Sequence, residues 1–79
     1  MNSKQITVVG LGYIGLPTAA LIASNKIKVL GIDTNVKVVN KINKGEIHIV
    51  EPGLEEIVRE SVSNKYFNAD VTIKKSDVF

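Results

Sequence analysis

The 79 residues include no cysteine, which excludes disulfides and a thiol nucleophile within them and leaves the redox compartment open. Aromatic residues are scarce, two tyrosines and two phenylalanines, so little is available for stacking on bases. The net charge is only +2, spread over lysines from Lys4 to Lys75 without a dense basic stripe. Nucleic-acid binding is therefore not expected. The one histidine, His48, has no Cys, Asp or His near it at metal-ligand spacing, and reads as a loop or packing residue. No internal repeat, low-complexity tract or domain linker interrupts the chain.

Charge is also missing from Ile6 to Ala23, a stretch that superficially suggests a signal peptide or membrane span. Gly10, Gly12, Gly15 and Pro17 fall inside it, and the preceding Met1-Asn2-Ser3-Lys4 carries a single basic side chain. A soluble strand, turn and helix explain this pattern better. No membrane association or targeting segment is expected, and a cytoplasmic location is the default.

Ile6, Thr7, Val8 and Val9 have the β-branched, apolar character of a buried parallel strand. Gly10-Leu11-Gly12-Tyr13-Ile14-Gly15 follows, then small and aliphatic residues from Leu16 to Ala23 with helical character. A strand, a tight glycine turn and a helix form the first half of a dinucleotide-binding unit. In that geometry Gly10 permits the sharp exit from the strand, Gly12 lets backbone approach a pyrophosphate, and Gly15 lets the helix pack on its strand. The anion would face the N–H groups and positive dipole end of the helix, with the amides of Tyr13 and Ile14 the best-placed donors. Pro17 fits the first turn or so, where its missing N–H leaves little unpaired.

Three glycines at this spacing are a weak signal alone. The second half of the fingerprint strengthens it. Lys28-Val29-Leu30-Gly31-Ile32 reads as a second strand ending at Asp33, which follows Gly15 at close to the roughly 20-residue spacing of a ribose-binding acid. A carboxylate there accepts hydrogen bonds from the ribose hydroxyls and repels a 2′-phosphate, so NAD is favoured over NADP. The bland alternative makes Asp33 a helix N-cap or turn residue.

Asn25-Lys26 should end the first helix. Thr34 or Asn35 can cap a second, with Val36, Val39 and Ile42 on its apolar stripe and Gly45 closing it. Lys37, Lys41 and Lys44 lie off that stripe and suit a solvated face, although Lys37 could also reach a cofactor phosphate. Glu46 to Val50 suggests a short extended link. Glu51-Pro52-Gly53-Leu54-Glu55-Glu56 then opens a third helix, with proline at its first position and glutamates at its positive end. Its buried face would be Leu54, Ile57, Val58, Ser61 and Val62, and Asn64 or Lys65 its end. No paired carboxylate marks Glu51 as a catalytic acid. Tyr66 and Phe67 read as core anchors, Val71-Thr72-Ile73 as a strand, and Asp77-Val78-Phe79 as the entry to another.

The fold class expected is thus α/β, a partial Rossmann-type (doubly wound) NAD-binding domain with a parallel sheet. A domain this small buries only about 60% of its unfolded surface, and about half of a complete doubly wound domain is accounted for. Residues 1–79 are accordingly expected to be the N-terminal part of such a domain.

Val8 to Ala19, Gly31-Ile32-Asp33 and Gly45-Glu46-Ile47-His48-Ile49-Val50-Glu51-Pro52 together resemble the nucleotide-sugar 6-dehydrogenases. The Gly-Tyr-Ile-Gly-Leu-Pro and Gly-Glu-Ile-His-Ile-Val-Glu-Pro stretches carry far more specificity than glycine spacing. The resemblance implies an NAD-dependent, two-step oxidation of a sugar C6 alcohol to a carboxylate through an aldehyde, on a UDP-sugar substrate, feeding surface polysaccharide synthesis. It implies backbone contacts from Tyr13 and Ile14 to the cofactor pyrophosphate and a ribose contact from Asp33. It places the catalytic cysteine, lysine and asparagine and the sugar-binding domain in later segments, so no catalytic residue is expected here. A homo-oligomer is expected for the full-length protein. Some relatives carry a basic residue five positions after the ribose acid, where this sequence has Val38. Nucleotide-sensing regulatory domains share the glycine turn and strand-end acid, but rarely the Gly-Leu-Pro continuation or the stretch from His48 to Pro52. Methyltransferases that use S-adenosylmethionine seldom keep the glycine spacing.

Overall fold

A computed structural model describes residues 5–72. The elements run β1 (Gln5–Val9), α1 (Gly15–Ser24), β2 (Lys28–Ile32), α2 (Val36–Asn43), α3 (Leu54–Ser63) and β3 (Phe67–Asp70). The three strands form a parallel sheet in the order β1-β2-β3. Ile6, Val29 and Phe67 align across it, as do Val8, Gly31 and Ala69. Aligned residues of parallel strands share a face. That face meets the buried residues of all three helices in one core cluster, including Leu16, Ala19, Ala20, Val39, Ile42, Leu54 and Val58. Burying each large aliphatic side chain of this set contributes roughly 1.5–3 kcal/mol.

β2 fits the expectation of a buried parallel strand, since every residue from Val29 to Ile32 is buried. Among the described residues β1 pairs with β2 alone, and Val9, at its carboxyl end beside the glycine turn, is 71% exposed.

The helix ends show where local chemistry and tertiary contacts divide the work. Lys26, at φ 65°, takes the left-handed turn after α1 and donates its N–H to the Ala23 carbonyl. Asn35 caps α2, its side-chain oxygen accepting from the N–H groups of Lys37 and Val38. Val36 lies off the buried stripe, with Val38 partly buried in its place. The third helix starts later than proline suggests. Gly53, at φ 81°, holds a left-handed conformation incompatible with a helical turn, so Pro52 stays in the preceding bend and Leu54 begins α3. Residues 46–50 form an irregular link without strand pairing, in which Ile49 is buried.

The third strand is displaced from its expected position. Strand pairing covers Phe67 to Asp70, while Val71 and Thr72 form a bend, and Ile73 and residues 77–79 lie outside the described residues. Val71 and Thr72 have the better β propensity, but pairing with β2 and the inward alternation of Phe67 and Ala69 fix the register instead. Asn43, at the end of α2, bonds the backbone of that strand twice: its amide donates to the Ala69 carbonyl and its oxygen accepts from the Ala69 N–H, both at 2.9 Å. The side chain thus stands in for a neighbouring strand. Asn43→Ala should destabilise the fold by about 1–3 kcal/mol, because the part-buried Ala69 groups lose their partner. A urea denaturation curve checks this, and a midpoint equal to wild type would show that the clamp carries no energy.

Candidate functional site

At the carboxyl ends of β1 and β2 the chain makes two turns that meet. Gly10, at φ 90°, reverses the chain out of β1, and its N–H donates to the Ile32 carbonyl at 2.7 Å. The loop then reaches α1, whose first residue, Gly15, lies against the Gly10 carbonyl so closely that a Cβ would overlap its oxygen. The Gly12 and Ile14 carbonyls accept from the N–H groups of Leu16 and Thr18, which starts the helix. No side chain caps this helix, and its first turn contains no acid. The initial N–H groups and positive dipole end therefore remain available to an anion.

Beside them is an open groove of about 580 Å³, lined by Val8, Val9, Gly10, Gly12, Tyr13, Ile14, Gly15 and Thr18. The side chains of Tyr13 and Ile14 are 76% and 84% exposed. An added Cβ at Gly12 would meet no atom within 4 Å, so that backbone stands clear for close approach by a ligand. A larger groove of about 620 Å³ lies between the 47–53 link and α3, lined by Glu51, Glu55, Glu56 and Arg59 among others. It lacks the glycine turn and carries three carboxylates, so the smaller groove is the one suited to a phosphate.

Asp33 sits one step beyond β2, with its N–H bonded to the Asp70 carbonyl. One carboxylate oxygen, Oδ2, accepts from the N–H of Leu11 at 2.9 Å, and Oδ1 accepts from the N–H of Asn35 at 2.9 Å. The acid thereby bridges the glycine loop to the start of α2. Each oxygen retains lone-pair capacity for a further donor such as a ribose hydroxyl. The Leu11 bond, then the Asn35 bond, holds the acid below the usual carboxylate range against a small opposing effect of burial, with a minor contribution from the charge of nearby His48.

This depressed acid predicts a pH dependence. A carboxyl that ionises more readily folded than unfolded stabilises the fold above its unfolded value of about 3.9, and that contribution is lost as pH falls through the lower folded value. The urea-midpoint difference between wild type and Asp33→Asn should hold from neutral pH to about 5, then narrow below about 4. A difference constant down to pH 2 would mean that the acid's ionisation does not contribute to folding.

The residues singled out from the sequence thus converge: Gly10, Gly12, Tyr13, Ile14 and Gly15 form one loop, and Asp33 is tied to it. The turn-residue alternative for Asp33 is realised alongside, since it bonds the Asn35 N–H. Sequence reasoning missed Leu11. Its side chain is fully buried against the core, near Gly31, while its N–H holds Asp33. An apolar residue between two glycines was the available signal. His48 lies in the 46–53 link with its Nδ1 buried and without a partner, and no metal-holding cluster of His, Cys, Asp or Glu is found among the described residues. Lys37 and Lys44 are exposed, and Lys41 makes an exposed ion pair with Glu46 at 3.9 Å. No helix among the described residues is long and apolar enough to cross a membrane.

A parallel sheet, a glycine turn feeding an uncapped helix, and an acid ending the adjacent strand define a Rossmann-type dinucleotide-binding unit. The sequence model of the UDP-glucose/GDP-mannose dehydrogenase family, NAD binding domain, matches residues 4–79, and the chain belongs to that family. It is 53% identical over 76 residues to the UDP-N-acetyl-D-mannosamine dehydrogenase of Campylobacter jejuni, covering 96% of this chain and 19% of that protein. It is 50% identical over 79 residues to the NDP-N-acetyl-D-galactosaminuronic acid dehydrogenase of Ralstonia nicotianae, covering 100% of this chain and 19% of that protein. Among solved structures it is similar to the UDP-N-acetyl-mannosamine dehydrogenase Cap5O from Staphylococcus aureus, with a TM-score of 0.86 and 42% identity over 90% of this chain and 17% of that one. The chain spans about a fifth of the length of these relatives.

Proposed function

We propose that this chain is the N-terminal part of the NAD-binding domain of a nucleotide-sugar 6-dehydrogenase, oxidising the C6 alcohol of UDP-N-acetyl-D-mannosamine to the uronic acid in two NAD-dependent steps. NAD accepts a hydride in each step. The observation that carries the cofactor reading is the Leu11–Asp33 hydrogen bond, which sets a carboxylate beside the open amides of the glycine loop. In this reading the amides of Tyr13 and Ile14 bind the pyrophosphate, with Gly10, Gly12 and Gly15 shaping the loop. Asp33 accepts from the adenosine ribose hydroxyls. The residues present fit the cofactor, since the space above Gly12 and the uncapped end of α1 suit a diphosphate.

The catalytic residues and the sugar-binding domain belong to the rest of the polypeptide. The sugar rests on the relatives' names, and one of comparable identity is named for N-acetyl-D-galactosaminuronic acid instead. A UDP-sugar substrate, a homo-oligomeric assembly and a cytoplasmic location complete the reading. Isothermal titration of the intact polypeptide should give one NAD site per chain, with NADP at least about tenfold weaker because a 2′-phosphate meets the Asp33 carboxylate. The backbone amide resonances of Tyr13 and Ile14 should shift on NAD addition. NAD binding that leaves both unmoved would place the cofactor elsewhere. Formation of two NADH per UDP-N-acetyl-D-mannosamine consumed tests the reaction.

A further inference from the structure

We propose that the groove between the 47–53 link and α3, together with the lysine-bearing face of α2, forms a two-fold contact between copies of this chain. Such a contact rests on the homo-oligomeric reading above, gives it a definite surface, and is independent of the glycine loop and Asp33.

The cofactor loop makes no use of this region, although the stretch from Gly45 to Pro52 is among the most distinctive in the sequence. The groove of about 620 Å³ has Ile47, Val50 and Pro52 on its link side and Glu55, Glu56 and Arg59 on its α3 side. Val50 is 95% exposed, although Ile49 beside it is buried and anchors the link. A lone exposed valine is ordinary on a protein surface. This one lies on the rim of a groove, among glutamates. The charges identify the partner. All five glutamates of the chain fall between Glu46 and Glu60, and all nine lysines fall outside that segment. Three of the lysines, Lys37, Lys41 and Lys44, recur at i, i+4 and i+7 along α2 and its C-cap, which places them on one exposed face. The basic and acidic halves are adjacent. Lys41 meets Glu46 at 3.9 Å, and Gly45, just past α2, lies against the stem of Arg59 on α3. An exposed ion pair at that distance contributes little to the fold itself, so both charges stay available across a contact. A surface with a positive half beside a negative half is its own complement under a two-fold rotation. The lysine face of one copy then meets the groove of the other, and the converse contact repeats it. Val50 supplies apolar area at the rim, while the opposed charges set register and specificity.

Two measurements on the intact polypeptide test the contact. In the first, unlabelled wild-type copies are mixed with copies labelled in heavy nitrogen and treated with a carbodiimide, which joins lysine amines directly to neighbouring carboxylates. Links of mixed isotope from Lys37, Lys41 or Lys44 to Glu51, Glu55 or Glu56 are expected. Their absence would overturn the inference, and links from those glutamates to segments outside residues 1–79 would show that the rest of the polypeptide covers the groove instead. In the second, sedimentation gives the number of copies in Lys37→Glu/Lys41→Glu and in Glu51→Lys/Glu55→Lys, with circular dichroism confirming that each is folded. Each variant meets itself with like charges, so the dissociation constant of this contact should rise at least about tenfold and the assembly should lose copies. Mixed one to one, the two variants present opposite charges at both halves, and the wild-type number of copies should return. An unchanged number in both folded variants, or no recovery on mixing them, would also overturn the inference. Should a variant fail to fold, the wild-type cross-links decide. A wild-type monomer would remove the homo-oligomeric reading and the inference together, whereas an oligomer without these mixed-isotope links removes the inference alone.

Discussion

Gly15→Ala is expected to abolish NAD binding and to destabilise the fold by about 3 kcal/mol, the upper part of the usual range for overpacking. The added methyl would overlap the Gly10 carbonyl oxygen and come within 2.8 Å of its carbonyl carbon. Neither is a flexible side-chain end that can swing aside. Gly10 is held at φ 90° and by its N–H bond to Ile32, and the start of α1 is pinned by Leu16, which is fully buried. Relief therefore requires the loop or the helix to move, and either movement takes the Tyr13 and Ile14 amides away from their positions. Gly12→Ala provides the contrast, because its methyl meets nothing in the protein. It should melt like wild type yet bind NAD more weakly, since the methyl projects into the space assigned to the pyrophosphate. Thermal melts and titrations on the two variants check both statements. A Gly15→Ala protein with wild-type melting temperature and affinity would show that the close approach of α1 to β1 has no consequence.

Asp33→Ala should weaken NAD binding by roughly 10- to 100-fold, as befits the loss of hydrogen bonds to a charged acceptor. Unlike a residue serving the ligand alone, Asp33 also holds the N–H groups of Leu11 and Asn35, so its truncation acts on the empty protein too. The part-buried Leu11 N–H would lose its partner, costing about 1–3 kcal/mol of stability. Asp33→Asn distinguishes the two roles: an amide retains one acceptor oxygen but loses the charge, so stability should recover more than affinity does. Titration calorimetry and urea denaturation on both variants supply the comparison. Undiminished NAD affinity in Asp33→Ala would remove Asp33 from the site.

The two halves of this site differed in how plainly they could be read. Gly10 and Gly15 announce themselves because the conformation at one and the close approach at the other admit almost no alternative residue. Asp33 was legible from its spacing after a strand. Leu11 was not, since its role depends on a backbone N–H that every residue but proline possesses. What distinguishes it is where the fold places it. The third strand shows the same limit from the other side: Val71 and Thr72 have strand composition, yet pairing runs through Phe67 to Asp70, because only that register turns Phe67 and Ala69 inward. Gly53 likewise overrode Pro52 as the start of α3, a conflict between two helix-start signals that backbone conformation resolved.

By itself the amino-acid order determined the strand–glycine turn–helix unit, the acid ending the second strand, a cap for α2 at Thr34 or Asn35, and the family. These depend on interactions between near neighbours or on residue types that tolerate few backbone states. Tertiary structure alone decided the register of β3, the Asn43 clamp and the Leu11–Asp33 bond. Each of these depends on which backbone groups from distant segments come to face one another, and a backbone amide or carbonyl leaves no mark in the order of side chains.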